Sequence, residues 1–294
     1  MTDTVLTLDN VFKGFDGAAV LKGISAQVQS GEVIGLLGIN GAGKTTLLET
    51  ILGYALPDAG TVSLFGVATN VLHDESLKHR IGFVPQRDEL LDQMTGRQFI
   101  ELVARFYDHW NQPLLDRLAQ EFDVPLDVRA SKLSVGQRQK LSILVALGHE
   151  PELIFLDEPV ASLDPLARRR FLQTLIDLVA EGDRTILFST HIVSDLERVA
   201  NRVWLIKDGL LKVDAALDEL KERTVRITLP PGAAVSDTIR TEETLIHLRH
   251  EQESAVMVFS HWDAARHDLL ARQTNGMPEP QHLSLEEIFL ELHR

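Results

Sequence analysis

Apolar positions along this chain follow two rhythms. Short runs with strand-like alternation or continuous apolar character fall at residues 5–8, 20–28 (loosely, around Gly23), 33–37, 61–65 and 81–84. Residues 153–156 are apolar at every position, which predicts a strand covered on both faces of a parallel sheet, and 185–189 read as the next buried strand. Residues 203–206 and 210–213 flank Lys207-Asp208-Gly209, and the Asp-Gly step predicts a hairpin. Helical spacing replaces this pattern in two places. Leu47, Leu48, Ile51 and Leu52 share one face, with Gly53 where a C-cap glycine belongs. From about residue 89 to 147 the spacing turns helical throughout, with Phe99, Leu102, Val103 and Phe106 on one face and Leu114, Leu115 and Leu118 on another. An all-helical stretch inside a strand-rich core predicts an inserted subdomain.

Beyond residue 214 the texture changes again. Residues 225–229 alternate as a half-buried strand, 255–259 form a second, and 263–272 read as a helix. Ser284 and Glu287 form a capping box for a last helix carrying Leu285, Ile288, Phe289 and Leu292. The chain therefore divides into a main domain, 1–214, and a small α/β accessory domain, 215–294.

Composition narrows the function. A net charge of −14 repels a polyanion, so no nucleic-acid partner is expected. With no cysteine there are no thiolate metal sites or disulfides. No apolar run approaches the roughly 20 residues that span a bilayer, and Met1-Thr2-Asp3-Thr4 does not read as a secretory signal. A cytoplasmic protein is expected, and any membrane work would need another polypeptide to supply the membrane part.

The chemistry is organised around Gly38-Ile39-Asn40-Gly41-Ala42-Gly43-Lys44-Thr45, which follows the apolar run 33–37. It matches the phosphate-binding loop pattern. A buried strand delivers the chain to a turn whose glycines let successive N–H groups converge on phosphate oxygens. The following helix aims its positive end at the same anion, and Thr46 is expected to bind the nucleotide together with the loop. Lys44 is expected to reach the outer phosphates and Thr45 to hold Mg²⁺. Asp157 and Glu158 follow the run 153–156 at the strand's carboxyl end, where open α/β sheets place ligands. Asp157 suits Mg²⁺, and Glu158 suits a base for the attacking water. Phe15, in a turn-rich stretch, could stack on a purine or simply fill core. His247, His250, His261 and His267 lack ligand spacing, so no metal is expected there, and Arg168-Arg169-Arg170 reads as a solvated helix face.

Leu133-Ser134-Val135-Gly136-Gln137, shortly before 153–158, resembles the signature motif of ATP-binding cassette (ABC) ATPases. Residues 153–158 resemble their Walker B strand. Ser162-Leu163-Asp164 is similar to the D-loop, Gln86 to the Q-loop glutamine, His191 to the switch histidine and Phe15 to the A-loop aromatic. The resemblance covers about residues 5–213. It implies an α/β fold: a P-loop NTPase core with a RecA-like mixed sheet, an N-terminal antiparallel β subdomain, the inserted helical subdomain and the C-terminal α/β appendage. It implies ATP and Mg²⁺ as ligands, with Gln86 sensing the metal and His191 the γ-phosphate. Ser134, Gly136, Gln137 and Asp164 would complete a site on the opposite member of a head-to-tail dimer, either a homodimer or a heterodimer with a second ABC subunit. Ser134 and Gln137 also form a capping box, so a helix N-terminus, an anion site, begins there. Val135 stands where the family most often has glycine, and Val160 where threonine is frequent; valine resists positive φ, which predicts ordinary helical backbone at 135.

Two functions compete. The first is the ATP-hydrolysing subunit of a transporter, energising a separate membrane permease from the inner face of the cell membrane. The ending Leu283-Ser284-Leu285-Glu286-Glu287-Ile288-Phe289 resembles those of bacterial drug, antibiotic and peptide exporter ATPases. Phe106-Tyr107-Asp108-His109-Trp110 is similar to a stretch in a subgroup linked to antibiotic resistance, and these aromatics either line a groove for a permease helix or pack within the insert. The second is a soluble ABC ATPase acting on ribosomes or DNA, which usually carries two cassettes, basic linkers, coiled coils or zinc cysteines that this sequence lacks.

Overall fold

The computed structural model describes residues 3–68, 74–182, 184–230, 235, 237–242, 244–251, 254–274 and 279–293. The chain folds as two compact units, Met1–Asp214 and Ala215–Arg294.

The first unit opens with two 12-residue strands, β1 (Thr4–Phe15) and β2 (Ala18–Gln29), longer than the hydrophobic pattern predicts. The pattern is blurred by a shift of register after Leu8, where Asn10 adopts φ 49°. There β1 nearly touches Gly60, whose hypothetical Cβ would stand 2.1 Å from the Asn10 carbonyl oxygen, so only glycine fits. With β4 (Ala59–Leu64) and β5 (Val67–Ala68) these strands make an antiparallel sheet in the order β2-β1-β4-β5.

The second sheet holds the chemistry. Its strands are β3 (Val33–Leu37), β6 (Ile81–Val84), β7 (Leu153–Leu156), β8 (Thr185–Thr190), β9 (Arg202–Lys207) and β10 (Leu210–Ala216), in the order β10-β9-β3-β8-β7-β6. The pairings β6–β7, β7–β8, β3–β8 and β3–β9 are all parallel. Every residue of β3, β7 and β8 is buried, which is why these strands show no alternation of apolar and polar positions. One consequence governs the site: the chain leaves β3, β6, β7 and β8 at the same edge of the sheet.

Helices connect these strands. They are α1 (Lys44–Leu52), the short α2 (Glu75–Lys78), α3 (Gly96–Ala104), α4 (Gln112–Glu121), α5 (Val135–Leu147), α6 (Pro165–Gly182) and α7 (Val193–Val199). Thr95, Asn111 and Ser134 cap the three helices of the insert, each accepting a backbone N–H with its side chain. Leu114, Leu115 and Leu118 are buried as the spacing predicts. Phe106 is not; α3 ends at Ala104, and its ring is 71% exposed. Arg168 also departs from the solvated face read for 168–170, since its guanidinium lies 3.6 Å from the buried Asp195 carboxylate on α7. Among the described residues no helix is long and apolar enough to cross a membrane.

The second unit contains α8 (Leu217–Arg223), β11 (Val225–Leu229), α9 (Asp237–Arg240), β12 (Leu245–Glu251), β13 (Ser254–Phe259), α10 (Ala264–Thr274), β14 (Gln281–His282) and α11 (Leu285–His293). Its sheet runs β12-β13-β11-β14 with antiparallel pairing, over a core of Val225, Ile227, Leu229, Met257, Phe259 and Leu270. The Ser284–Glu287 capping box opens α11, each residue accepting the other's backbone N–H at 3.3 and 3.0 Å. The strand β12 escapes the hydrophobic pattern because its polar positions are large: His247 and Arg249 both contact Glu291, a buried carboxylate that Arg226 also reaches. His247 thus serves an ion network, and among the described residues no group of three or more His, Cys, Asp or Glu is arranged for a metal.

Candidate active site

The phosphate loop leaves β3 at Leu37 and returns as α1. Gly41 and Gly43 take φ of 80° and 108°, where a side chain is strained, and Gly43 is the N-cap of the helix. Gly38 is buried, while Asn40 and Gly41 are exposed. The Lys44 side chain turns back under the loop and donates to the Gly38 carbonyl at 2.8 Å and the Ile39 carbonyl at 3.4 Å. The hypothetical Cβ of Gly43 would lie 3.1 Å from Leu21 and 3.5 Å from Val20, so β2 borders the loop. Phe15, the last residue of β1, is 47% exposed, with the Lys13 ammonium 5.1 Å from its ring centroid.

Two strands away, β7 ends at Leu156 and delivers Asp157 and Glu158, both buried. One Asp157 oxygen accepts the Thr45 hydroxyl at 2.7 Å; the other accepts the Ser189 hydroxyl at 2.5 Å. Glu158 adopts φ 49°, a left-handed conformation uncommon for a residue with a side chain. Its carboxylate takes a different pair of partners from that of Asp157. Its oxygens lie 3.3 Å from Lys44 Nζ and 2.7 Å from His191 Nδ1. His191, just past β8, is 45% exposed and caps the outer side of this cluster. Glu49, on α1, has its carboxyl pKa raised by burial and then by the neighbouring Asp157 charge. Gln86 stands exposed two residues beyond β6, whose Val84 carbonyl accepts the Asp157 N–H at 2.8 Å. Thr46 completes the first turn of α1 and is half-buried.

The fold therefore brings Lys44, Thr45, Asp157, Glu158 and His191 into one hydrogen-bonded group, with Gln86 at its border. Ser189 belongs to this group and is not singled out by sequence; the available signal was the Ser189-Thr190 hydroxyl pair that ends β8 after the apolar 186–188. A carboxylate oxygen beside a threonine hydroxyl is a hard-oxygen pair, the donor type Mg²⁺ takes when phosphates and water complete its shell. The residues fit that ion.

A second locus lies elsewhere on the unit. Ser134 accepts the Gln137 N–H at 3.3 Å, and Gln137 Oε1 accepts the Ser134 N–H at 3.0 Å, so two donors at the start of α5 are internally satisfied. Val135 is 66% exposed with negative φ, in ordinary helical backbone, and its side chain projects from the first turn. Gly136 packs on the following segment; its hypothetical Cβ would lie 3.0 Å from the Ser162 carbonyl oxygen. Val160 is buried, which accounts for an apolar residue there. Asp164 accepts the backbone N–H groups of Leu166 and Ala167 at 3.0 and 2.9 Å, capping α6, and the Ala167 N–H is the main cause of its lowered pKa. Among the described residues, no side-chain hydrogen bond joins Ser134, Gly136, Gln137 or Asp164 to the cluster around Glu158. The two loci are separate on one chain.

Residues 21–161 match the family described as ABC transporter. The chain is 33% identical over 238 residues to the ABC transporter ATP-binding protein YtrB of Bacillus subtilis, covering 81% of each chain. It is 33% identical to the Nod factor export ATP-binding protein I of Burkholderia orbicola, over 96% of this chain and 95% of that one. Among solved structures, an ATP-binding subunit of an ABC transporter superposes with a TM-score of 0.67 at 29% identity, over 74% of this chain and 92% of its own. A dimeric ATP-binding cassette in a post-hydrolysis state with ADP and Pi gives 0.65 at 26%, over 72% of this chain and 98% of its own.

Proposed function

This chain belongs to the ABC transporter family, as one of its ATP-binding, ATP-hydrolysing subunits, and we propose that it drives a separate membrane permease that exports drugs, antibiotics or peptides. The observation that carries the ATPase chemistry is the placement of Glu158 between Lys44 and His191, beside the Thr45–Asp157 pair. In this reading the N–H groups of residues 38–46 and the N-terminus of α1 hold the phosphates, Lys44 offsets their charge, and Phe15 stacks on the base. Thr45, Asp157 and Gln86 would hold Mg²⁺, which when bound neutralises charge on the transferred phosphoryl group. Glu158 takes the proton of the attacking water, and His191 orients it and faces the γ-phosphate. Ser134, Gly136, Gln137 and Asp164 act on the nucleotide of a second subunit, of this chain or of a homologue.

A groove beside Gln86 supports the permease. A cavity of about 320 Å³ is lined by Tyr54, Phe83, Leu90, Phe99 and Tyr107, with Glu89 and Lys78 also on its wall. Its wall thus joins the strand leading to Gln86 with the helical insert, a place where an embedded partner's helix could register nucleotide state. The name of the Burkholderia relative, a subunit for export, supports the exporter direction. On this account the protein works on the inner face of the cell membrane and carries antibiotic resistance when the cargo is a drug. The test is co-isolation after detergent solubilisation: a multispanning membrane protein in stoichiometric amount is expected, whereas ribosomes or DNA in its place would overturn the transporter role.

A further inference from the structure

Strand β7 stops at Leu156, paired with Phe188 of β8, while β8 continues through Ser189 and Thr190. Past that point the two segments are joined by a side chain. The Ser189 hydroxyl, with Ser189 fully buried, accepts the Glu158 N–H at 2.8 Å and donates to Asp157 at 2.5 Å. Ser189 is itself held in register by pairing of β8 with Leu36 of β3, the strand that feeds the phosphate loop. One hydroxyl thus touches the two adjacent residues whose carboxylates diverge.

We propose that Ser189 is a positioning residue for hydrolysis, setting the rotamer of Asp157 and the left-handed backbone of Glu158 together. This rests on the roles given above to those two carboxylates. Its donated proton occupies one Asp157 oxygen and leaves the other directed at Thr45, the side where a metal would be shared. Its lone pair anchors the Glu158 N–H, which otherwise would be a buried donor without a partner at a backbone angle that is already strained for a residue with a side chain. Releasing that bond frees Glu158 to relax toward ordinary φ and swing its carboxylate from between Lys44 and His191.

The experiment compares Ser189→Ala with wild type by binding of a fluorescent ATP analogue in EDTA and in Mg²⁺, and by steady-state turnover. In EDTA the variant is expected to bind within about two-fold of wild type, because the phosphate loop is intact. In Mg²⁺ it is expected to need about 10-fold more metal for half-maximal binding and to turn over about 10–100-fold more slowly, as when a group supporting a metal ligand is lost. Should Ser189→Ala fail to bind even in EDTA, Ser189→Cys, of similar volume but a weak donor, takes its place with the same expectations. Wild-type metal dependence and turnover in either variant, while Asp157→Asn and Glu158→Gln are inactive, would overturn the role of Ser189 alone. Full activity in Asp157→Asn and Glu158→Gln would instead remove the reading beneath it.

Discussion

His191 donates from Nδ1 to Glu158 Oε2 at 2.7 Å, while the other oxygen of the same carboxylate faces the Lys44 ammonium at 3.3 Å. The contact joins the segments that follow β7 and β8. Glu158 is 7% exposed and His191 is 45% exposed, so the carboxylate is enclosed while the imidazole can still move with a ligand. Enclosure matters because a charge in a dry site acts more strongly on a water than it would in bulk solvent.

Replacing Glu158 by Gln keeps the shape and removes the base. Turnover is expected to fall about 10²–10⁴-fold, the range for losing a general base, with ATP affinity little changed. Single-turnover hydrolysis together with calorimetric binding checks both halves. Unchanged turnover would remove Glu158 from the base role.

Lys44→Ala acts on binding instead. It removes a buried ammonium at the phosphate loop and leaves Glu158 without one of its two partners. Loss of a charged hydrogen bond to phosphate is worth roughly 1.5–3 kcal/mol, about 10–150-fold in affinity, and a lysine that reaches both outer phosphates would lose two such bonds. ATP binding is expected to be lost at millimolar nucleotide by calorimetry, and retained affinity would count against the loop assignment.

A pH dependence of stability follows from His149. It is buried, stacks on Tyr107 with ring centroids 4.1 Å apart, and donates from Nε2 to the Ile81 carbonyl at 3.0 Å. Burial, the largest cause, lowers its pKa to about 4. The folded chain therefore keeps His149 neutral where the unfolded chain, near 6.5, has protonated it. Stability linked to this group is complete above about pH 6.5 and is lost as pH falls towards 4, by about 3 kcal/mol in total. His149→Phe preserves the stack and is expected to flatten the acid side of the urea-midpoint profile by that amount. An unchanged slope between pH 6.5 and 4 would contradict it.

Much of this was legible in the sequence because buried parallel strands leave no polar alternation. Residues 33–37, 153–156 and 185–189 announced themselves as apolar runs, and the groups that follow them, Lys44, Asp157, Glu158 and His191, then had to emerge at one edge. The α/β class follows from the same runs, whereas the cassette core is what the resemblance of the motifs between them implies. Other parts were hidden for identifiable reasons. β12 packs arginine and histidine against the buried Glu291, so burial there does not look hydrophobic. Ser189 has no motif of its own, because its importance lies in a hydroxyl shared by two neighbours on another strand. Phe106 looked like core by spacing, yet the helix stops two residues before it.

The central claim is that the cluster around Glu158 and the helix end at Ser134, apart on one chain, meet across two. Sedimentation velocity on the Glu158→Gln variant with Mg²⁺ and ATP measures this directly. A nucleotide-dependent dimer that disappears in EDTA, and again when Ser134→Arg blocks the helix end, is the predicted result. A species that stays monomeric with saturating Mg²⁺ and ATP, at every protein concentration and with its permease present, would contradict the account.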